Sequence, residues 1–324
     1  MDRFNVSKGL QLVAGVDHQS YSGRDEVLLI ADQKESVNAL YMQARSTDDW
    51  LPDTHVATGI RYNKQTKAGG MTLWNLSARH NFNSRYYFRG NMGTAFRLPD
   101  AWQLFGNDPC CTQGNPELKG EDSFNINLAV GGELPNIGNG LTWELIGLHR
   151  SVDNLIGSSD GIRVNTDKKV TISGGEFVLS YAALNDWSVT ADLTYTDAKA
   201  SGSRQQIPDI PEFAAKGLLA YEPSGQPFGF SASLLYVGSV NSDIGGFFPD
   251  GSFAEHGRYS VVDLSGYYEF GQGDRHRLVA RIENLLDDEY ATSIRTAQSD
   301  QGQGYLYYNL GVARTFHLFY SSTC

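Results

Sequence analysis

No apolar run in this chain approaches the roughly 20 residues that a membrane helix needs, so crossing a bilayer by helices is excluded. Cysteine is scarce: Cys110, Cys111 and Cys324 are the whole complement, and their spacing is not that of a zinc site. Positive charge is also short. With 26 Lys and Arg against 37 Asp and Glu the net charge is -11, and the clustered cations that phosphate binding requires are missing. Nucleic acid is therefore not an expected partner, and ordinary acidic surface loops account for the balance. The chain opens Met1-Asp2-Arg3-Phe4-Asn5 with no basic stretch leading into an apolar one, so no secretory leader is read there. His18, His55, His80, His149, His256, His276 and His317 are scattered, and no nucleophile triad, phosphate loop or paired carboxylate stands in a convincing context. The expectation is a protein that is not an enzyme and has no cofactor or metal.

What the chain does have is alternation with a period of two. Leu306, Tyr308, Leu310, Val312, Phe316, Leu318 and Tyr320 fall on one face, with Asn309, Gly311, Ala313, Thr315 and His317 on the other. Such a period means β-strand with two differently solvated faces. Read as one strand, 306–320 is longer than the 9–11 residues of a membrane strand. Arg314 falls on its apolar row, where facing lipid at mid-bilayer would cost about 2–4 kcal/mol, so a position near an interface or a bulge is expected.

The same alternation recurs upstream: Phe88 and Met92; Phe124, Ile126, Leu128 and Val130; Leu141, Trp143 and Leu145; Val189, Ala191, Leu193 and Tyr195; Phe228, Phe230, Ala232, Leu234 and Tyr236. Connections alternate between short and long. Short turns are expected at Phe82 to Ser84, Asn185-Asp186, Pro223 to Gln226 and Gly271 to Asp274. Long polar links are expected from Arg97 to Gly120, Gly157 to Lys169, Ala200 to Pro211, Val240 to Arg258 and Asp287 to Gly304. Short turns on one side and long loops on the other mark an outer-membrane β-barrel, and the count is about fourteen strands. The fold class is all-β, an antiparallel transmembrane β-barrel. A soluble sandwich or surface adhesin would also alternate, with its apolar rows facing a core.

Certain segments carry a more particular likeness. Gly93-Thr94-Ala95-Phe96-Arg97-Leu98-Pro99, then Leu104-Phe105-Gly106, then Gly114-Asn115-Pro116-Glu117-Leu118-Lys119, resemble the barrel of TonB-dependent outer-membrane receptors, with Gly120-Glu121 where that family usually has Pro-Glu. Arg281-Ile282-Glu283-Asn284-Leu285-Leu286-Asp287-Asp288-Glu289-Tyr290 is similar to its penultimate-strand motif, and Arg314-Thr315-Phe316 to the opening of its terminal strand. Gly174-Gly175-Glu176 and Ile210-Pro211-Glu212 follow in the same order. Pro99 and Asn115-Pro116 also read simply as loop punctuation.

The resemblance implies a Gram-negative outer-membrane receptor that takes up a bulky scarce nutrient, a ferric siderophore or cobalamin, with energy transmitted by TonB. It implies about 22 strands around an N-terminal plug. No plug or TonB-contacting box is recognisable, so residues 1–324 read as a C-terminal portion of such a barrel, about 14 of about 22 strands, expected not to transport alone. A passive plugless porin is the alternative, and an adhesin a further one. Implied partners are outer-membrane lipid, the ligand, TonB through the missing N-terminal region, and the barrel-assembly machinery. The last would read Phe316, Leu318 and Tyr320, although the chain ends in Cys324 where the family commonly has Phe or Trp. Trp102, Phe105, Phe247 and Phe248 are loop aromatics that could grip a flat chelate or else pack loop on loop. Neighbouring Cys110 and Cys111 could close a strained disulfide or seek other partners.

Overall fold

In the computed structural model of the chain, the described residues are 2–26, 30–66, 69–108, 112–159, 161–183, 185–243, 253–273, 275–299 and 302–322. In chain order the elements are β1 Asp2–Ser7, β2 Leu10–Asp25, β3 Ile30–Ser46, β4 Thr54–Gln65, β5 Gly69–Asn81 and β6 Tyr86–Arg97, followed by α1 Ala101–Phe105. Next come β7 Asn107–Asp108, β8 Thr112–Gln113, β9 Glu121–Leu134, β10 Leu141–Asp153, β11 Ile156–Ser159, β12 Ile162–Asn165, β13 Val170–Ala182 and β14 Trp187–Ala200. The chain finishes with β15 Phe213–Tyr221, β16 Phe228–Asp243, β17 Phe253–Phe270, β18 His276–Glu283, β19 Ala291–Gln298, β20 Gly304–Leu310 and β21 Thr315–Ser322.

Fifteen strands follow one another in chain order in one sheet, skipping only the short pairs set in the long links. Those pairs form a four-stranded sheet, β11-β12-β8-β7, and a two-stranded one, β19-β20. From β5 on, shorter connections alternate with longer ones, as the alternation predicted, whereas the link between β3 and β4 is longer than those on either side of it. Contacts divide the chain into two units: Met1–Val130, Gly147–Ser173 and Lys199–Arg204; and Gly131–Ile146, Gly174–Ala198 and Gln205–Cys324.

In the first unit the pleat sorts residues by polarity. Val16, Leu40 and Tyr62 lie side by side across β2, β3 and β4. They are 77%, 61% and 47% exposed, an apolar row with no protein over it. One residue along, Asp17 reaches Arg61 at 2.7 Å, and Arg61 also bonds Asn63 and lies over the Tyr41 ring. Apolar side chains outward and bonded polar ones on the reverse face are the pattern of a membrane barrel wall, not of a soluble sandwich.

The second unit repeats this. Arg281 pairs with Asp263 and Glu283, and Glu283 with His317, all on the polar face. On the apolar face near the short-turn end, Trp187, Tyr221 and Phe230 form a ring cluster, and Tyr268, Phe270, His276 and Tyr320 continue as a stacked series. Amphipathic rings at one level across successive strands are what a lipid–water boundary selects.

Three expectations need correction. The run 306–320 is not one strand: Leu306, Tyr308 and Leu310 belong to β20, paired with β19, whereas Phe316, Leu318 and Tyr320 belong to β21, paired with β18. The break is enforced from outside the run. Buried Asn284 donates to the carbonyl of Val312, and Asp287 accepts the Arg314 N–H while its carboxylate lies 3.8 Å from the guanidinium. Arg314 thus lies between the two strands, with its guanidinium turned to Asp287. Second, much of 240–258 is paired strand, with β16 and β17 in register as far as Asp243 and Phe253. Third, the link 287–304 contains the β19 strand of a hairpin rather than a plain polar loop.

Candidate ligand pocket at the long-loop end

At Leu98-Pro99 the chain leaves β6, because a proline cannot continue the ladder. Asp100 then caps α1 reciprocally: its carboxylate accepts the Gln103 N–H at 2.7 Å, and the Gln103 amide oxygen accepts the Asp100 N–H at 3.0 Å. Gly106 ends the turn by donating to the Trp102 carbonyl at 2.9 Å. Gly114 passes over the same turn, where a Cβ would fall 2.7 Å from the Leu104 carbonyl carbon and the Phe105 nitrogen. Only glycine fits there.

Asn115 ties this loop to the next one. Its N–H donates to Gln103 at 2.8 Å, its amide donates to the Arg163 carbonyl at 3.0 Å, and its amide oxygen accepts the Glu117 N–H. Asn165 answers from the other loop, accepting the Lys119 N–H and donating to the carbonyls of Lys119 and Asn154. Beneath both, Arg97 grips Glu121 through two bonds of 2.8 and 2.6 Å, and the Ile156 N–H donates to Glu121 at 2.9 Å. Burial pushes the Glu121 carboxyl up, but the Arg97 and Ile156 hydrogen bonds outweigh it and hold it below the usual carboxylate range. Glu121 lies beyond the apolar row of β9, which begins at Phe124, and so in the loop layer.

The motif residues thus build a platform, and the platform walls a cavity of about 800 Å³. Tyr21, Gln33, Glu35 and Gln65 line it from the polar face of β2, β3 and β4, and Leu98, Trp102, Leu104, Phe105 and Leu118 from the loop. Arg24, Asp25, Lys34 and Asp100 supply charge around it. The volume and the mix of aromatic walls with a few polar groups match a small-molecule site. Arg163 presses its guanidinium on the Trp102 ring, 4.3 Å from the centroid, and so fixes that indole.

Of the sequence candidates, Trp102 and Phe105 come together in this cavity. Phe247, Phe248, Cys110 and Cys111 lie outside the described residues. Phe316, Leu318 and Tyr320 are exposed on the apolar row of β21 and do not line this cavity. Tyr21, Gln65 and Arg163 were missed, since nothing in their local pattern brings them beside α1. Among the described residues no group of three or more His, Cys, Asp and Glu could hold a metal.

Residues 1–285 match the family model for the TonB dependent receptor-like β-barrel. The chain belongs to that family. It is a partial antiparallel transmembrane β-barrel. It is similar to the vitamin B12 transporter BtuB of Photobacterium profundum, 24% identical over 300 residues, covering 89% of this chain and 45% of that protein. BtuB of Vibrio cholerae matches at 24% over 296 residues, 90% and 45%. A mutant of the ferric enterobactin receptor PfeA from Pseudomonas aeruginosa shares the fold with a TM-score of 0.72 at 16% identity, over 97% of this chain and 51% of that one. The chain spans about half the length of the curated relatives it matches.

Proposed function

We propose that this chain builds the C-terminal part of the barrel of an outer-membrane receptor that takes up a bulky, scarce nutrient, a ferric siderophore or cobalamin, with energy delivered by TonB. The observation that carries the reading is the aromatic-walled cavity at the long-loop end, on the polar face that would line the lumen. Trp102 and Phe105 supply flat apolar contact, and the surrounding carboxylates, Arg24 and Lys34 give the pocket polar handles. The family membership and relatives named for vitamin B12 and enterobactin support the same ligand classes. The apolar rows would face outer-membrane lipid, and Phe316, Leu318 and Tyr320 would be read by the assembly machinery.

The role is carriage rather than catalysis. Energised uptake would be a property of the whole receptor whose wall this chain helps to form. The test is uptake of labelled cobalamin and ferric enterobactin by a receptor-deleted strain carrying that receptor. Uptake of one of them that needs TonB and falls at least tenfold in Trp102→Ala with Phe105→Ala is expected. TonB-independent leakage of unrelated solutes would instead indicate a passive pore.

A further inference from the structure

The polar face of β4 carries Arg61, Asn63 and Gln65 in line, since alternate residues of a strand share a side. The first two are spent on each other and on β2: Arg61 bonds Asp17 at 2.7 Å and donates to the Asn63 amide oxygen at 2.8 Å. Gln65 differs. Its main chain is held on both sides, opposite Val37 of β3 and Gly69 of β5, and the Thr66 N–H that follows it donates to the Ser36 carbonyl at 3.1 Å. Its place on the sheet is therefore fixed. Yet its side-chain amide has no hydrogen-bond partner among the described residues, although Gln65 is only 6% exposed. A polar group taken so far out of water costs free energy unless it is paired.

What Gln65 does touch is the cavity of about 800 Å³, whose lining it joins from the sheet while Trp102, Leu104 and Leu118 join it from the loop. The chemistry of the amide says what would complete it. A primary amide sets one acceptor oxygen beside an N–H donor. A carboxylate or phenolate could take only the N–H, and an ammonium only the oxygen, leaving the other half buried and unpaired. A second amide satisfies both at once, whichever way round the Gln65 amide lies.

We infer that Gln65 is a specificity-determining residue of this cavity, and that it reads an uncharged carboxamide group on the ligand through a paired donor and acceptor. This role rests on the nutrient-receptor reading proposed above and narrows it to ligands that carry such groups on their rim. Trp102 offers flat apolar contact to any bulky chelate. Gln65 discriminates, because a ligand without the matching group leaves a buried amide unpaired, and that is a stronger penalty than a small change in apolar fit.

The test is equilibrium binding to the detergent-purified receptor that contains this chain. The probes are cyanocobalamin, whose corrin rim carries carboxamides, its monocarboxylates, in which one carboxamide is hydrolysed, and ferric enterobactin. Cyanocobalamin is expected to bind, and Gln65→Met, unbranched and of similar length, to weaken it tenfold or more. At least one monocarboxylate should bind the parent tenfold or more weakly than cyanocobalamin does, and that difference should vanish in Gln65→Met. Without ligand, Gln65→Met should melt no lower than the parent, because it removes an unpaired amide. A loss below tenfold in Gln65→Met, monocarboxylates that all bind the parent like cyanocobalamin or keep their difference in Gln65→Met, or a lower melting point without ligand would overturn this role for Gln65. Ferric enterobactin bound in place of cyanocobalamin would also overturn it and leave the receptor reading standing, whereas binding of neither would overturn both.

Discussion

Arg97 and Glu121 close a two-bond fork across the bases of one long loop, and the carboxylate also takes the N–H of Ile156 from the next. Glu121 is only 11% exposed while Arg97 is half exposed, so the carboxylate has more to lose than the guanidinium. Glu121→Gln keeps the shape but gives up the charge-assisted bonds, and is expected to loosen the platform by about 1–3 kcal/mol, towards the low end because Arg97 is solvated. Hydrogen exchange along 97–121 and 154–165 should rise in that variant.

The same pair sets a pH dependence. The folded Glu121 carboxyl titrates below its unfolded value of about 4.3, so its contribution is complete above that value and is lost as pH falls through the folded one. Platform exchange should therefore accelerate only below about pH 4. Glu121→Gln should lack that acid step, and an identical acid profile in both proteins would show that another group carries it.

Asn284 is the corresponding lock in the second unit. It sits 1% exposed in a left-handed backbone conformation with φ 50°. Its amide donates to the carbonyls of Asp288 and Val312, both at 2.9 Å, and its N–H donates to Asp263. Asn284→Ala would leave buried carbonyls unpaired and place a Cβ-only side chain where asparagine is tolerated, costing about 2–4 kcal/mol. The urea midpoint of the receptor in lipid vesicles is the measurement, with Leu286→Ala, at an exposed neighbour, as the control expected to change little.

These two locks show how much of the fold the sequence carried. The period of two marked the wall strands, and the turn residues marked which end was short. It failed at 306–320 because Val312 preserves the alternation through a gap that is made by Asn284 and Asp287, about thirty residues upstream, through contacts that no local period records. In the site, the prolines and glycines of 97–120 announced a loop, and Trp102 and Phe105 stood out as apolar residues within it. Tyr21, Gln65 and Arg163 did not, because strand pairing and the β8-β12 junction alone bring them there.

Arg163 offers a graded test of the cavity. A cation over an indole face is worth about 0.5–1 kcal/mol where solvent reaches it, so Arg163→Gln should weaken ligand binding about 2–5-fold by freeing Trp102. Trp102→Ala should cost more, and combining the two should add little to Trp102→Ala alone. Equilibrium binding on cells measures all three, and strictly additive losses would show that Arg163 acts on the ligand independently of the indole.

The apolar row of β21 provides a depth test of the membrane reading. Phe316, Leu318 and Tyr320 pair across to Ile282, Ala280 and Leu278, and Tyr320 lies at the level of the aromatic belt, its hydroxyl 2.7 Å from His276. Phe316 is four residues further in, about 13 Å along the strand. Arginine on a lipid face costs about 2–4 kcal/mol at the midplane and falls to about 0–1 near the boundary. Phe316→Arg should therefore destabilise the barrel in vesicles far more than Tyr320→Arg, with Leu318→Arg between them, even though Tyr320→Arg also breaks a hydrogen bond. Both end residues are highly exposed, at 71% and 61%, so a water-facing surface would tolerate arginine at either position. Equal and small effects along the row would place this face in water, and a steady rise from Tyr320 to Phe316 would place it in lipid.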